Sequence, residues 1–159
     1  MQGDPKVLEL LNEALKNELT ATNQYWLHYR LLDNWGVHKL AEFERSESID
    51  EMKHADSLAE RILFLDGLPN FQALGRLRIG ENVEEVLRAD MDLELEALTQ
   101  LKGAIAHSES VHDYASRDLF SDILDNEEEH VDTLERQFEM IGRMGLQNYV
   151  QLQSEPAKD

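Results

Sequence analysis

Cysteine is absent from all 159 residues of this chain. Its absence excludes disulfide bonds, zinc–thiolate sites, iron–sulfur ligation and thiol catalysis. Proline and glycine are scarce, with three and eight residues, so few positions can break or end a helix. No apolar run approaches the roughly 20 residues that a membrane-spanning helix requires. These absences favour a helical protein without thiol chemistry and without a membrane segment.

Positive charge is also in short supply. The chain carries 15 Lys and Arg residues against 33 Asp and Glu residues, which gives a net charge of −18. An acidic surface repels nucleic acid and anionic membranes and attracts cations, although such charge also simply keeps exposed helix faces soluble. Because residues 1–5 are polar and lack the apolar core of a signal peptide, we expect a cytoplasmic protein with no nucleic-acid or membrane partner.

Apolar residues recur at helical spacing in four long segments, and 42% of the chain is hydrophobic, which favours a folded all-α protein. The length corresponds to one domain, predicted to span residues 1–153, followed by a flexible tail at 154–159. The predicted helices are a first helix from Pro5 to about Asp33, then 37–65, 83–108 and 113–143, and a short fifth helix at 146–152.

The links between the predicted helices indicate a four-helix bundle. Asp4 before Pro5 is typical of a helix N-cap followed by proline at the first helical position. Residues 66–82 form a link that is much longer than a turn and long enough to cross the length of a bundle. The second and third helices would therefore run parallel, so the chain would form two helical hairpins joined by a long crossover.

Two Glu-x-x-His motifs dominate the chain, at residues 51–54 and 127–130. In each motif the carboxylate and the imidazole lie one turn apart on one helix face. Glu18 precedes the glutamate of the first motif by 33 residues, and Glu94 precedes that of the second by 33, so the two halves repeat with an offset of 76. One Glu from each of two helices and one Glu-x-x-His from each of the others form the ligand set of a di-iron site inside a four-helix bundle.

The candidate ligands lie on the predicted apolar stripes, near the middle of each helix. Glutamates and histidines usually lie at the surface, which is the alternative interpretation. Four carboxylates buried at one level would repel one another and lose solvation, whereas two divalent cations would cancel their charge. Oxygen-rich sites with one imidazole per ion suit iron or manganese better than zinc or copper. The predicted ligands are Glu18, Glu51, His54, Glu94, Glu127 and His130, with Tyr25 and Asp50 as candidates to contact them.

The chain resembles the bacterioferritin family over essentially its whole length. The resemblance is carried by the six ligands and by residues 1–5, 47–56, 61–70 and 145–149. Ordinary ferritins lack the second Glu-x-x-His motif, and rubrerythrins need cysteines. The resemblance implies a ferritin-like bundle and a homo-oligomeric shell of 24 subunits built from dimers. It also implies a ferroxidase that oxidises Fe²⁺ with dioxygen or peroxide at the six ligands and stores a ferric mineral inside the shell.

The resemblance further implies haem b between two subunits, with Met52 from each subunit as an axial ligand. Met52 lies about 100° around its helix from Glu51, so it can face a neighbouring subunit. From the sequence alone, a single methionine is also typical of core or interface packing. The haem would carry electrons inward for iron release, with a small iron–sulfur ferredoxin as the electron donor.

Two positions depart from the family pattern. Family members often carry histidine where this chain has Ser46, and that histidine forms an inner-surface iron site with Asp50. The presence of this inner-surface site is therefore in question in this chain. The residue before the second motif is often Asp and is Asn126 in this chain, which can accept a hydrogen bond from a ligand histidine but brings no charge. We expect surface roles for the four remaining histidines, which are His28, His38, His107 and His112.

Two other classes of protein are compatible with parts of this pattern. A soluble di-iron oxidase or oxygenase acting on a small organic substrate would use similar ligands and would be monomeric or dimeric. A miniferritin-like DNA protector would also bind iron. The net charge of −18 and the absence of a basic tail weigh against that protector, and its iron site would lie between subunits.

Overall fold

The computed structural model describes residues 1–155, and the regular elements in this range are five helices. They are α1 Pro5–Asn34, α2 His38–Phe64, α3 Val83–Ser110, α4 Tyr114–Met144 and α5 Leu146–Gln153. The predicted all-α fold is confirmed, and the predicted helix boundaries lie within about two residues of the observed ones. Within residues 1–155, none of the helices has the length and apolar character needed to cross a membrane. Residues 156–159, most of the predicted flexible tail, lie outside the described residues.

Side-chain caps begin three of the long helices. Asp4 accepts a hydrogen bond from the Val7 backbone N–H at 3.0 Å, and Pro5 occupies the first position of α1, as predicted. Asn82 and Asp113 accept equivalent hydrogen bonds at the starts of α3 and α4. Each cap satisfies a backbone donor that the helix itself cannot pair, so local sequence decides where these helices begin.

A glycine turn lets α5 fold back onto the bundle. Gly145 ends α4 with a φ of 84°, a conformation that residues with a side chain rarely adopt. Tyr149 of α5 is fully buried, and its hydroxyl donates to Gln137 Oε1 of α4 at 2.7 Å. The short fifth helix therefore covers one end of the bundle.

Polar contacts between helices show their relative directions. Gln100 of α3 donates to the backbone carbonyl of Leu10 in α1 at 3.1 Å, and Asp90 of α3 lies beside His28 of α1. Residue numbers fall along α3 as they rise along α1, so these two helices are antiparallel. The short turn after α1 makes α1 and α2 antiparallel as well. Helices α2 and α3 therefore run parallel, as the length of the crossover predicted.

The crossover, defined here as residues 65–82, lies along α1 and uses that helix to satisfy its backbone. Buried N–H groups need partners, and an extended chain outside a sheet has none of its own. Polar side chains of α1 accept from successive backbone N–H groups of the crossover at 2.8–3.0 Å. The donor and acceptor pairs are Asn70 with Asn12, Gly75 with Thr20, Arg78 with Gln24, and Gly80 with His28.

Two apolar clusters fill the two ends of the bundle. The first includes Leu11, Leu58 and Phe120, and the second includes Leu40 and Leu87. The six predicted ligands lie in a polar layer between the clusters. Each fully buried leucine contributes about 1.5–3 kcal/mol to stability. The two clusters can therefore offset the cost of burying polar groups between them.

Candidate metal centre

The six predicted ligands meet in the polar layer, in the interior of one subunit. The four glutamates and His130 are buried, and the side chain of His54 is 13% exposed. Their ligand atoms form two groups, and the atoms of each group lie within 4.8 Å of one another. One group is Glu18, Glu51, His54 and Glu127, and the other is Glu51, Glu94, Glu127 and His130.

Two carboxylates belong to both groups. His54 Nδ1 lies 3.1 Å from Glu127 Oε1, whereas His130 Nδ1 lies 3.4 Å from Glu127 Oε2. Glu127 therefore directs one oxygen toward each histidine. Glu51 Oε1 lies 3.1 Å from His130 Nδ1 and 3.9 Å from His54 Nδ1. This geometry suits two cations bridged by Glu51 and Glu127, while each of the other four ligands serves one cation.

Most of the ligand atoms are buried without a hydrogen-bond partner. Within residues 1–155, seven atoms of the centre are buried and have no hydrogen-bond partner. They are both oxygens of Glu127, one oxygen of each of the other three glutamates, and Nδ1 of His54 and of His130. The histidine nitrogens and the carboxylate oxygens lie 3.1–3.9 Å apart, but no hydrogen bond joins them. Buried polar atoms without partners are costly, and two divalent cations would satisfy them and cancel four negative charges. The donor set therefore fits a pair of ions such as Fe²⁺.

Burial and mutual repulsion control the protons of this centre. Burial, and after it the charge of neighbouring carboxylates, raises the pKa values of Glu18, Glu51 and Glu94. Burial would lower the pKa of His54, but contacts with Glu127 and Glu18 raise it to about 9. Burial would raise the pKa of Glu127, but its contacts with Glu94 and with both histidines lower it. At neutral pH, cations must therefore displace protons in order to bind.

Two further side chains orient the ligands. The buried Tyr25 hydroxyl donates to Glu94, which agrees with the contact predicted for Tyr25. Glu47 Oε2 lies 2.6 Å from His130 Nε2, on the side of the ring away from the ligand groups. A carboxylate this close to Nε2 favours a hydrogen on that nitrogen and leaves Nδ1 for the ion. This contact was not predicted from the sequence, although Glu47 lies one turn before Glu51 on the same face.

The positions that depart from the family pattern lie at the edge of the centre or outside it. Asp50 is 44% exposed at its side chain, and its Oδ2 lies 4.0 Å from His130 Nε2. Ser46 is exposed one turn earlier on α2, and an inner-surface iron site at Asp50 stays a prediction. Asn126 is exposed and donates to the Asp122 carbonyl at 3.5 Å, so its amide contacts its own helix instead of a ligand histidine.

Met52 lies on the outer face of α2 and is 47% exposed. It borders a cavity of about 500 Å³ that is also lined by Ile49, Lys53, Asp56 and Phe71. An exposed thioether beside apolar side chains fits a haem shared with a second subunit. Haem binding itself stays a prediction.

The prediction that all remaining histidines have surface roles is wrong for His28. This residue is fully buried, and its Nδ1 lies 2.9 Å from Asp90 Oδ1. The reason is the crossover, which covers this face of α1 through the contact between Gly80 and His28. His38 and His112 are exposed, as predicted.

Comparison with known proteins supports the family resemblance over the whole chain. The family model described as Ferritin-like domain matches residues 8–144. Bacterioferritin from Brucella melitensis biotype 1 is 49% identical over 159 residues, which cover 100% of this chain and 99% of that protein. Bacterioferritin from Mycolicibacterium paratuberculosis is 50% identical over 149 residues, or 94% of each chain. Bacterioferritin from Streptomyces coelicolor is 49% identical over 150 residues, covering 94% of this chain and 90% of that protein.

Proposed function

Because this chain belongs to the bacterioferritins, we propose that it oxidises Fe²⁺ at the six-ligand centre and stores the ferric product inside a shell of identical subunits. The observation that carries the proposal is the pair of overlapping ligand groups that share Glu51 and Glu127. Two Fe²⁺ ions held side by side can each give one electron to an oxidant that accepts two. A general cation-binding surface would need neither deep burial nor shared carboxylates.

The proposed reaction balances as a two-electron step. Two Fe²⁺ ions become two Fe³⁺ ions, while dioxygen with two protons becomes hydrogen peroxide, or hydrogen peroxide with two protons becomes water. The four glutamates cancel the charge of the ferrous pair, and each histidine supplies one neutral nitrogen. Because the centre is buried, the carboxylate charges are screened little by water and stabilise the additional positive charge of the ferric pair.

Iron stoichiometry tests the proposed reaction. When increasing Fe²⁺ is mixed with protein in air, we expect a rapid ferric phase that saturates at two Fe²⁺ per chain, because the six-ligand centre consists of two ligand groups. Stopped-flow absorbance of ferric iron measures the amplitude. Saturation at one Fe²⁺ per chain would contradict a two-ion centre, as would a rapid phase that keeps growing in proportion to added iron.

A shell of 24 subunits built from dimers is the second part of the proposal. In a single subunit, several large apolar side chains at the end of α2 and in the crossover are exposed. Exposed apolar surface of this extent is typical of contacts that an oligomer buries. These residues are 47–82% exposed and comprise Leu63, Phe64, Leu68, Phe71 and Leu74.

The mass in solution tests the shell. We expect sedimentation at a mass near 24 times the 18.4 kDa chain, because burial of the apolar side chains favours closed assembly. The measurement is analytical ultracentrifugation at micromolar concentration. A monomer or dimer under these conditions would overturn the shell and favour an oxidase or oxygenase that acts on a small organic substrate.

We also propose haem b between two subunits, held by Met52 from each. When bound, the haem supplies an electron-transfer path for reductive release of stored iron, with a small iron–sulfur ferredoxin as the donor. The exposed position of Met52 supports this assignment, since a ligand shared by two chains must lie on a subunit surface. The proposed setting is the cytoplasm.

Replacing Met52 tests the haem assignment. Met52→Leu keeps the apolar volume but removes the thioether, so the variant should assemble and purify without haem. The visible spectrum of the purified protein measures haem content. Met91→Leu, which changes a methionine packed against the second apolar cluster, is the matched control and should keep its haem. Full haem occupancy in Met52→Leu would exclude Met52 as the ligand.

A further inference from the structure

A second buried cluster of ionisable residues lies in the bundle, outside the six-ligand centre. His28 of α1, Glu44 of α2 and Asp90 of α3 are each fully buried. One ligand atom from each of them lies within 4.8 Å of the other two. Side chains of these types rarely lie so deep without a charge partner or a bound ion.

Hydrogen bonds account for one side of this cluster. Asp90 Oδ1 accepts from Gln24 Nε2 at 3.0 Å and lies 2.9 Å from His28 Nδ1. The Gly80 backbone N–H donates to His28 Nε2 at 3.0 Å. Since Nε2 accepts, the hydrogen of the neutral ring must lie on Nδ1, from which it is donated to Asp90. His28 therefore orients Asp90 but supplies no positive charge.

The other side of the cluster has carboxylate oxygens without partners. Both oxygens of Glu44 and Oδ2 of Asp90 have no hydrogen-bond partner in the part of the chain that the structure describes. Burial and the charge of Asp90 also raise the pKa of Glu44, as expected where the pair is not compensated. One proton shared by the pair would leave one negative charge buried. One divalent cation would neutralise both carboxylates and could contact all three oxygens.

We propose that Glu44 and Asp90, with Asp90 oriented by His28 and Gln24, bind a third divalent cation inside the bundle. A site formed by carboxylate oxygens suits Fe²⁺ or Mn²⁺. Asp90 lies four residues before Glu94 on α3, which is about 6 Å along the helix axis. The proposed site therefore lies about one helical turn from the six-ligand centre.

Anomalous diffraction from crystals soaked in Mn²⁺ tests the site, because it locates ions by position. The full chain is compared with two variants of α2. Glu44→Gln removes one charge but keeps the side-chain size. Its amide can donate a hydrogen bond to Asp90, so we expect the variant to fold. Glu42→Gln makes the same change at an exposed position nearby and is the matched control. Calorimetric Mn²⁺ titration in solution measures the number of ions per chain.

We expect an anomalous peak between Glu44 and Asp90 in the wild type and in Glu42→Gln, and its loss in Glu44→Gln. The titration should then show one fewer ion per chain in Glu44→Gln. If wild-type crystals at saturating Mn²⁺ show both ions of the six-ligand centre but no third peak, the pair shares only a proton and the inference is wrong. A third peak that persists in Glu44→Gln would also overturn it. The experiment measures binding of a redox-inert ion, so the third site can be confirmed even if the proposed iron oxidation is wrong.

Discussion

Replacing Glu127 with alanine is expected to abolish the rapid phase of iron oxidation, and replacing His130 with alanine is expected to slow it severely. Glu127 belongs to both ligand groups, so its loss weakens both ion positions, whereas His130 belongs to one. Removing residues that merely orient metal ligands already costs about 10–100-fold, so loss of a ligand should cost at least as much. Stopped-flow absorbance of ferric iron in air gives the rates of the wild type and of each variant.

The fold should survive both substitutions, since the apolar clusters at the two ends of the bundle remain intact. Circular dichroism and sedimentation check this point. Glu128→Ala, which removes an exposed glutamate next to Glu127, is the matched control and should oxidise iron like the wild type. Wild-type kinetics in both Glu127→Ala and His130→Ala would refute the assigned centre.

Cation binding should raise the thermal stability of the metal-free protein by a large amount. A ligand that binds only the folded state at about 1,000 times its dissociation constant contributes about 4 kcal/mol. For a chain of this size that corresponds to roughly 10 °C in the thermal midpoint. Differential scanning calorimetry with and without Mn²⁺ measures the shift. A midpoint that does not change at saturating Mn²⁺ would contradict a preformed buried site.

The increase in thermal midpoint on adding Mn²⁺ should become larger at higher pH. The raised pKa values of Glu51 and Glu94 stabilise the metal-free fold below the ordinary glutamate pKa of 4.5, and this contribution is lost as pH rises. The His54 contribution is present below pH 6.5 and is lost as pH rises toward its folded pKa of about 9. Fewer protons then compete with the cation. The thermal midpoint of the metal-free protein should therefore decrease as the pH is raised from about 5 to 9. Over the same range, the increase in the midpoint on adding Mn²⁺ should become larger.

A variant with both shared carboxylates replaced, Glu51→Gln with Glu127→Gln, is the control for these measurements. Both substitutions keep the side-chain size and leave the two apolar clusters intact, so the metal-free variant should still fold. It should also lose most of the shift on adding Mn²⁺. A wild-type shift in this variant would show that the stabilising cations bind elsewhere on the acidic surface.

Much of the fold was predictable because helices depend on local sequence. The cap at Asp4, the proline at Pro5 and the apolar stripes locate the helices to within about two residues. The length of the crossover then predicts that α2 and α3 run parallel. The six candidate ligands were predictable as well, since their spacing of 33 residues, which recurs with an offset of 76, and their position on apolar stripes are properties of the sequence.

How the six residues divide into two ligand groups depends on the packing of the helices. An apolar stripe identifies the buried face of a helix, but it carries no information on how far one helix is shifted along its neighbour, and one turn of about 5.4 Å would pair different residues. The sharing of Glu51 and Glu127 by both ligand groups depends on that shift. The cluster of His28, Glu44 and Asp90 depends on it too, and His28 is buried because the distant crossover covers it at Gly80. Burial by a segment 52 residues away leaves no local pattern around His28, so its role could be recognised only once the chain was folded.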